Sequence, residues 1–252
     1  MTFYELYKML DERYPASLRC EWDNDGVMCT ANLEKEVKRV LIALDVTMDT
    51  VEYAIKNGFD TVVSHHPLVF RGQKALTPVN FTQEKLIELI KNDVSVMSFH
   101  TRLDAANNGV NDVLVCKLGL VNVQADPLDI IGRIGYVKEL TALDSFAKQV
   151  KNALSSPFVL CSGNRVVNKV YVVGGDGKDL IDNAIKAGCD TIVTGRASYN
   201  TAIDACDMGI NIIEAGHFFT ENPVCFELQR VISSLDSAIA IEVYNSNKIE
   251  II

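Results

Sequence analysis

Short apolar runs alternate along the chain with stretches whose apolar residues recur at helical spacing. Residues 40–44, VLIAL, form a continuous apolar run, which is typical of a strand covered on both faces. From Met48 to Ile55 the apolar residues follow a helical period, and Gly58 supplies a C-terminal stop. Near the C-terminus the pattern predicts a helix from Pro223 to about Leu235 and a last strand over 238–244. This alternation of strands and helices predicts an α/β fold.

Two stretches of the chain resemble each other. Residues 54–65 are AIKNGFDTVVSH and residues 184–195 are AIKAGCDTIVTG, and seven of the twelve positions are identical. In both places an apolar strand comes before the stretch, and a helix-like segment and another apolar strand come after it. We therefore predict an internal duplication that gives two similar, interlinked α/β lobes. The predicted lobes cover residues 1–125 and 126–252.

The composition is that of an ordinary globular protein, with 48% hydrophobic and 23% charged residues. No apolar run approaches the roughly 20 residues of a membrane span, and the acidic, amphipathic N-terminus lacks the features of a signal peptide. The seven cysteines are odd in number and form no CxxC pair, which predicts reduced thiols and a cytoplasmic protein. The net charge of −9 disfavours a nucleic acid as the partner.

Histidine occurs at only four places, and each follows an apolar run predicted as a strand: His65, His66, His100 and His217. Carboxylates lie four positions beyond the last two of these, at Asp104 and Glu221. Open α/β sheets bind their ligands at the carboxyl ends of strands. Histidine and carboxylate side chains are ligands of divalent transition metals. The pattern therefore predicts a metal site.

The second repeat has lost the histidine pair of the first. Gly195 and Arg196 stand where the first repeat has His65 and His66. Two independent sites would require a second pair, whereas one site between the lobes explains the difference. That single site would take its ligands from both lobes: His65, His66 and Asp104 from the first, and His217 and Glu221 from the second.

Two adjacent histidines indicate two metal ions. Neighbouring side chains on an extended segment point to opposite sides, so we predict that His65 and His66 bind one ion each. Asp104 or Glu221 would bridge the ions, which lie roughly 3.5–4 Å apart in two-metal hydrolytic sites. Because the predicted ligands include no cysteine, zinc, manganese, iron and cobalt all suit the site.

Other interpretations of these residues stay open. The segment His65-His66-Pro67 could be only a polar turn at the end of a strand. We predict that His100 is a partner of a ligand or a proton shuttle rather than a ligand itself. Asp45 either reaches the site or, as we favour, caps the helix that begins near Thr47.

Four further segments carry weaker expectations. The amides of residues 107–111, including Asn111, could hold an anion such as a phosphate, although a helix cap is favoured. Residues 174–177, GGDG, are predicted to form a strand-to-helix turn because they lack a nucleotide-binding signature. Residues 22–26 are rich in turn-forming residues and contain the only tryptophan, Trp22. This pattern predicts a loop that is anchored by the aromatic side chain. Asn222 is a possible N-cap of the helix that starts at Pro223.

Together these residues resemble the Nif-three-like family, also called the GTP cyclohydrolase I type 2 homologues. The matching pieces are Trp22-Asp-Asn with Gly26, Ser64-His-His-Pro67, His100-Thr-Arg-Leu-Asp104 with Asn111, and Gly216-His217 with Glu221. The resemblance implies a dinuclear metal site between two similar α/β lobes, with ligands at the five positions named above. It also implies a homohexamer built from trimers.

Two functions follow as hypotheses. In the first, the protein is a metal-dependent hydrolase of a phosphorylated or nucleotide-like small molecule, and His100 transfers a proton. In the second, it is a non-catalytic hexameric scaffold that binds metal or encircles a partner, DNA included. Neither hypothesis involves a membrane.

Overall fold

The structure, a computed structural model, describes residues 1–252 and contains two mixed α/β units. One unit comprises residues 1–103 and 225–250, and the other comprises residues 104–224 with 251–252. The α/β class predicted from the apolar pattern is confirmed, because each unit has its own sheet with helices.

Strands and helices are numbered in chain order. The strands are Gly26–Cys29 (β1), Arg39–Ala43 (β2), Thr61–Ser64 (β3), Ser95–Ser98 (β4), Val121–Ala125 (β5), Arg133–Thr141 (β6), Leu160–Ser162 (β7), Val167–Asp176 (β8), Thr191–Arg196 (β9), Asn211–Glu214 (β10) and Ala240–Tyr244 (β11). The α-helices are Phe3–Arg13 (α1), Met48–Lys56 (α2), Phe81–Lys91 (α3), Thr101–Ala105 (α4), Val110–Lys117 (α5), Leu143–Ala153 (α6), Ile181–Lys186 (α7), Tyr199–Asp207 (α8), His217–Glu221 (α9) and Pro223–Leu235 (α10). None of these helices has both the length and the apolar composition that crossing a membrane requires.

The first unit has a five-stranded sheet in the order β1-β4-β3-β2-β11. Strand β1 is antiparallel to β4, and the other neighbours are parallel. The C-terminal strand β11 pairs with β2, with Ala240 opposite Arg39. Because of this pairing the C-terminal segment belongs to the first unit, so the units differ from the predicted lobes 1–125 and 126–252.

The second unit has a six-stranded sheet in the order β5-β6-β8-β9-β10-β7. Its central strands β8, β9 and β10 are parallel, and the remaining pairs are antiparallel. The buried side chains of Val172, Val193 and Ile213 from the three parallel strands lie in one apolar cluster. Fully burying a side chain of this size contributes about 1.5–3 kcal/mol, so these strands form the stable centre of the unit.

The two copies of the repeated sequence have the same strand register. In the first unit, Thr61 lies opposite Val40 on one side and opposite Ser95 on the other. In the second unit, Thr191 occupies the same position between two parallel strands. Both threonines are fully buried. The two copies thus share a strand register, and the internal duplication stays a prediction.

The aspartate before each of these threonines accepts hydrogen bonds from backbone N–H groups at the start of the neighbouring strand. Asp60 accepts hydrogen bonds from the backbone N–H groups of Lys38 and Arg39, at 2.8 and 3.0 Å. Asp190 accepts from the backbone N–H of Lys169 at 2.8 Å and from the residue before it. The identical Asp-Thr pairs of the repeat therefore satisfy backbone donors that the parallel ladder leaves without a strand partner.

Helix α10 covers the predicted range, but Asn222 does not cap it. The backbone of Asn222 is helical, with φ −52° and ψ −29°, and this residue ends α9. An N-cap residue has extended backbone angles, so that prediction is wrong. Helices α9 and α10 are separated by this single residue.

The cysteines differ in exposure, which predicts their reactivity. Cys116 and Cys161 are exposed, whereas Cys29 and Cys189 are buried. Burial raises the pKa of both buried thiols to about 11, and the thiolate is the reactive form. We expect a disulfide reagent at pH 8 to label Cys116 and Cys161 well before Cys29 and Cys189, with peptide mass spectrometry as the measurement. Equal labelling of all four thiols in the folded protein would contradict this expectation.

Candidate metal centre

Three histidines of the first unit converge at the ends of two parallel strands. His65 and His66 follow β3, and His100 follows β4, the neighbouring strand. The ring centroids lie 4.9, 5.3 and 5.5 Å apart. Each ring offers one nitrogen within 4.8 Å of the others. Three imidazole nitrogens at this spacing are a donor group for a divalent transition metal.

The convergence of His65 and His66 differs from the expectation of opposite orientation. Strand β3 ends at Ser64, so both histidines lie in a bend rather than on extended backbone. The rule of alternating side chains applies only within the strand. The two ring centroids lie 4.9 Å apart, and the binding of one ion by each histidine stays a prediction.

The Nδ1 atoms of His65 and His66 are held by hydrogen bonds. His65 Nδ1 donates to the carbonyl oxygen of Phe99 at 2.9 Å, and His66 Nδ1 donates to Asp45 Oδ1 at 2.8 Å. A proton on Nδ1 places the ring lone pair on Nε2 and fixes the orientation of the ring. Both residues therefore have the tautomer and the second hydrogen bond that are typical of metal-binding histidines.

Asp45 orients a histidine. The sequence analysis had favoured it as the cap of helix α2, and that prediction is wrong. The N-cap is Thr47, whose side chain accepts a hydrogen bond from the backbone N–H of Thr50 at 3.1 Å. The carboxylate of Asp45 accepts from His66 instead.

His100 is held by a buried carboxylate. Its Nδ1 donates to Asp23 Oδ1 at 2.8 Å, and Asp23 Oδ2 accepts from the backbone N–H and the hydroxyl of Thr101, at 3.1 and 2.6 Å. Burial opposes the ionisation of Asp23, but the hydrogen bonds from His100 and Thr101 and the charge of His100 outweigh it and lower its pKa. Asp23 is therefore an ionised partner that assigns the lone pair of His100 to Nε2.

A second aspartate of the same turn joins His100 to a buried arginine. Asp25 accepts the backbone N–H of His100 at 3.0 Å and two hydrogen bonds from Arg102, at 2.9 and 2.7 Å. Arg102 is 1% exposed and also donates to Asp11 at 2.6 Å. The predicted anchor of this turn was Trp22, but that side chain is 64% exposed. The two aspartates anchor the turn, and sequence reasoning missed their role.

In the second unit, Glu221 lies close to two further predicted ligands, His217 and Asp104. His217 Nε2 lies 2.8 Å from Glu221 Oε2, one turn further along α9. Asp104 and Glu221 each offer an oxygen, and these oxygens lie within 4.8 Å of each other. Glu221 is buried, and burial of a carboxylate is favourable when it pairs with another group or coordinates a metal ion. The imidazole and the two carboxylates supply the remaining donor types of the predicted site.

Glycine at two positions makes room for this group. Gly175 has φ +66°, and a Cβ there would lie 2.2 Å from Glu221 Oε1. A Cβ on Gly195 would lie 2.8 Å from the Cα of His217 and 2.5 Å from the carbonyl oxygen of Gly175. Gly195 is the repeat counterpart of His65, so the close approach of α9 explains why the second repeat carries no histidine there.

The two His-x-x-x-carboxylate motifs are offset by one residue. Ser95 and Asn211 occupy equivalent register positions opposite the repeated threonines. Counted from Ser95 in the first repeat and from Asn211 in the second, His100 corresponds to Gly216, and His217 comes one position later. The motifs are therefore not strict equivalents of each other, as the sequence comparison had assumed.

Residues 107–111 lead into helix α5, and Asn111 lies in the interior. The side chain of Asn111 is fully buried, donates to the carbonyl oxygen of Asp104 at 3.3 Å and accepts from the backbone N–H of Gly174 at 2.7 Å. The N-cap of α5 is Gly109, without a side-chain hydrogen bond. Asn111 thus supports the backbone at Asp104, and the favoured expectation of a helix cap in this segment is confirmed at Gly109.

Replacing Gly175 with alanine should weaken metal binding. The new Cβ would displace Glu221, and changes to the supports of a metal site cost about 10- to 100-fold in affinity. Gly188 is the matched control because its φ is +69° and nothing lies within 4 Å of a Cβ built there. Both variants carry similar backbone strain, but only Gly175→Ala should lose affinity in a metal titration. Equal affinities in the two variants would show that Glu221 does not contribute.

These features define an α/β protein with groups of histidine and carboxylate side chains that fit divalent metal ions. The chain belongs to the Duf34/NIF3 (NGG1p interacting factor 3) family, whose model matches residues 1–250. The resemblance inferred from the sequence motifs is thereby confirmed.

Relatives of known sequence and structure agree with this assignment. A Clostridium perfringens protein named GTP cyclohydrolase 1 type 2 homolog is 34% identical over 247 residues, which cover 94% of each chain. The crystal structure of the Staphylococcus aureus hypothetical protein SA1388 has a TM-score of 0.90 at 26% identity and covers 100% of this chain and 99% of its own. Reduced HcgD from Methanocaldococcus jannaschii has a TM-score of 0.84 at 27% identity, with 96% and 97% coverage.

Proposed function

We propose that the protein is a dinuclear-metal hydrolase of a phosphorylated or nucleotide-like small molecule. Two divalent ions, of zinc, manganese, iron or cobalt, would be held by five side chains: His65, His66, Asp104, His217 and Glu221. The observation that carries the proposal is the convergence of three imidazoles whose Nδ1 atoms are each committed to a protein acceptor. A histidine that binds a metal ion typically holds its other ring nitrogen in a hydrogen bond of this kind.

Bound ions would supply a nucleophile at neutral pH and stabilise negative charge on the reacting group. The chain itself supplies orientation and proton transfer. His100 keeps the Nδ1 proton at Asp23 and accepts or releases a proton at Nε2. The ring is partly exposed, with 17% of the side chain accessible, so a substrate can reach it. His65 is fully buried and serves the metal only.

The substrate class rests on two considerations. Metal ions with histidine and carboxylate ligands favour phosphoryl groups and polarised ring carbons as reaction centres. Relatives carry the name GTP cyclohydrolase 1 type 2 homolog, which refers to a nucleotide. The net charge of −9 disfavours nucleic acid as a substrate.

The test combines metal content with a substrate screen. Protein prepared without chelator is analysed for metals by elemental analysis and assayed on phosphomonoesters, phosphodiesters and nucleotides. About two ions per chain and turnover are expected in the wild type, with both strongly reduced in Glu221→Ala and His65→Ala. Glu139→Ala is the control, because this glutamate is exposed on β6. A folded wild type that retains no metal after reconstitution would refute the proposal.

A second candidate function is a non-catalytic scaffold that assembles as a homohexamer. It is favoured by the apolar character of the sheet edge at β1, where Tyr4, Val27 and Leu33 are 43%, 37% and 44% exposed. An apolar sheet edge is a ready pairing surface for another chain. Mass measurement by light scattering, with Val27→Lys as the variant, tests assembly. Assembly without turnover on any substrate, at full metal content, would favour this function over the hydrolase.

A further inference from the structure

Two exposed aromatic side chains stand beside the histidine group of the first unit. Trp22 is 64% exposed and Phe70 is 45% exposed, and their ring centroids are 6.1 Å apart with an interplanar angle of 56°. Single exposed aromatic residues are common on protein surfaces. Two exposed aromatic rings in contact beside a polar site form an apolar surface patch. Such a patch indicates a binding surface, because its rings are not packed in the protein interior.

Hydrogen bonds beneath the rings hold both loops in place. Asp23, the residue after Trp22, is buried and bonded to Thr101. The side chain of Asn24 donates to the carbonyl oxygen of Val69, the residue before Phe70. The two loops are thus tied to each other and to the start of α4. A ring presented on a fixed support loses little conformational entropy when a ligand stacks on it.

Both rings lie close to His100. The Trp22 ring centroid lies 6.2 Å from that of His100 at 77°, and the Phe70 centroid lies 6.4 Å away at 82°. These are edge-to-face arrangements, and the exposed parts of the Trp22 and Phe70 rings are open to a ligand. The turn that presents Trp22 also supplies Asp23, the carboxylate that orients His100. One short segment of the chain therefore carries both the exposed Trp22 ring and the carboxylate that orients His100.

We propose that Trp22 and Phe70 form a stacking subsite for a planar heteroaromatic ring of the substrate. The centroid of His100 is 6.2 Å from that of Trp22 and 6.4 Å from that of Phe70, so a ring stacked there would lie beside the histidine group, within reach of its polar edge or its substituent. The aromatic composition of the subsite favours a flat π-system over an acyl chain, and the nearby imidazoles supply hydrogen bonds to ring heteroatoms. This inference rests on the proposed hydrolase function and specifies its substrate class.

The chain offers an unambiguous reporter for this subsite, because Trp22 is its only tryptophan. The probes are guanosine monophosphate, which has a heteroaromatic ring, and ribose 5-phosphate, which has the same sugar and phosphate without it. Each is titrated into metal-loaded protein while tryptophan emission is recorded, with free tryptophan amide correcting for light absorbed by the ring. We expect saturable quenching by guanosine monophosphate and none by ribose 5-phosphate. Equal responses to both probes, or no saturable response, would overturn the proposal.

Substitutions of Phe70 and Trp22 test whether guanosine monophosphate binds at these two rings. Phe70→Leu should raise the Kd for guanosine monophosphate roughly tenfold, the scale of one lost base-stacking contact. Phe81→Leu is the matched control, since Phe81 is 78% exposed at the start of α3 and has no ring contact with Trp22. Trp22→Leu, measured by equilibrium dialysis, should lose at least as much affinity. An unchanged Kd in both Phe70→Leu and Trp22→Leu, with unchanged thermal unfolding, would also overturn the proposal.

The same samples separate this inference from the proposed function. Ring-dependent quenching in protein that holds metal but hydrolyses nothing would uphold the subsite and refute the hydrolase. Turnover of a phosphoester that is equal in wild type and Trp22→Leu, without quenching by the ring-bearing probe, would uphold the hydrolase and refute the subsite.

Discussion

Replacing Arg102 with methionine should lower the free energy of unfolding by about 3–5 kcal/mol, the usual cost of breaking a buried ion pair. The guanidinium is 1% exposed and bonded to both oxygens of Asp25, which is itself buried. Methionine fills much of the volume but leaves the Asp25 carboxylate without its main counter-charge. Urea unfolding followed by circular dichroism gives the measurement.

The matched control for this substitution is Arg230→Met. Arg230 also pairs with a carboxylate, that of Glu227 at 2.6 Å, but its side chain is 63% exposed. Exposed pairs contribute little, so the unfolding midpoint should hardly move. If Arg102→Met were no more destabilising than Arg230→Met, the buried network would not be what secures the turn of residues 22–26.

Replacing Asp23 with asparagine should reduce kcat by roughly 100-fold, within the range that positioned acid–base groups contribute. Asparagine is nearly isosteric, but it removes the charge that keeps the Nδ1 proton of His100 in place. Metal content should stay at the wild-type level, because His65 and His66 have other Nδ1 partners. Steady-state kinetics on the best substrate of the screen, with elemental analysis, measures both quantities.

A double-mutant cycle decides whether Asp23 acts through His100. The two residues act as a unit if Asp23→Asn costs little in a His100→Ala background. Asp144→Asn serves as the control, since Asp144 pairs with Lys148 on an exposed helix surface. Additive losses in the cycle would mean that Asp23 merely supports the fold, and a parallel drop in thermal stability would identify that outcome.

The strands and the main helices could be predicted because their signals are local. Residues 40–44 are apolar without interruption, and β2 forms there as Arg39–Ala43. The helix predicted from Pro223 to Leu235 matches α10. The strand-end position of the histidines also follows from local sequence, which is why His65, His66 and His100 could be placed in one group before the structure was known.

The support of the site could not be predicted, because it depends on contacts between distant residues. Asp23 and Asp25 reach residues more than 70 positions away, at His100 and Arg102. A turn-rich segment with two aspartates gives no signal of such partners. Likewise, the sequence of β11 does not predict that it pairs with β2 in the first sheet, because no local feature distinguishes β2 from other possible parallel partners.

The pairing of β11 with β2 has a consequence for biosynthesis. Residues 1–103 are synthesised before β11, so the outer edge of β2 receives its partner only when Ala240–Tyr244 has been made. Protein synthesis proceeds at about 5–20 residues per second. The edge of β2, which contains Val40 and Ile42, therefore stays unpaired for a time on the order of ten seconds. The nascent chain therefore passes through a stage in which its most apolar strand can recruit a foreign one. A stop codon just before β11 would make that stage permanent, so chaperone dependence and aggregation should be concentrated in C-terminal truncations.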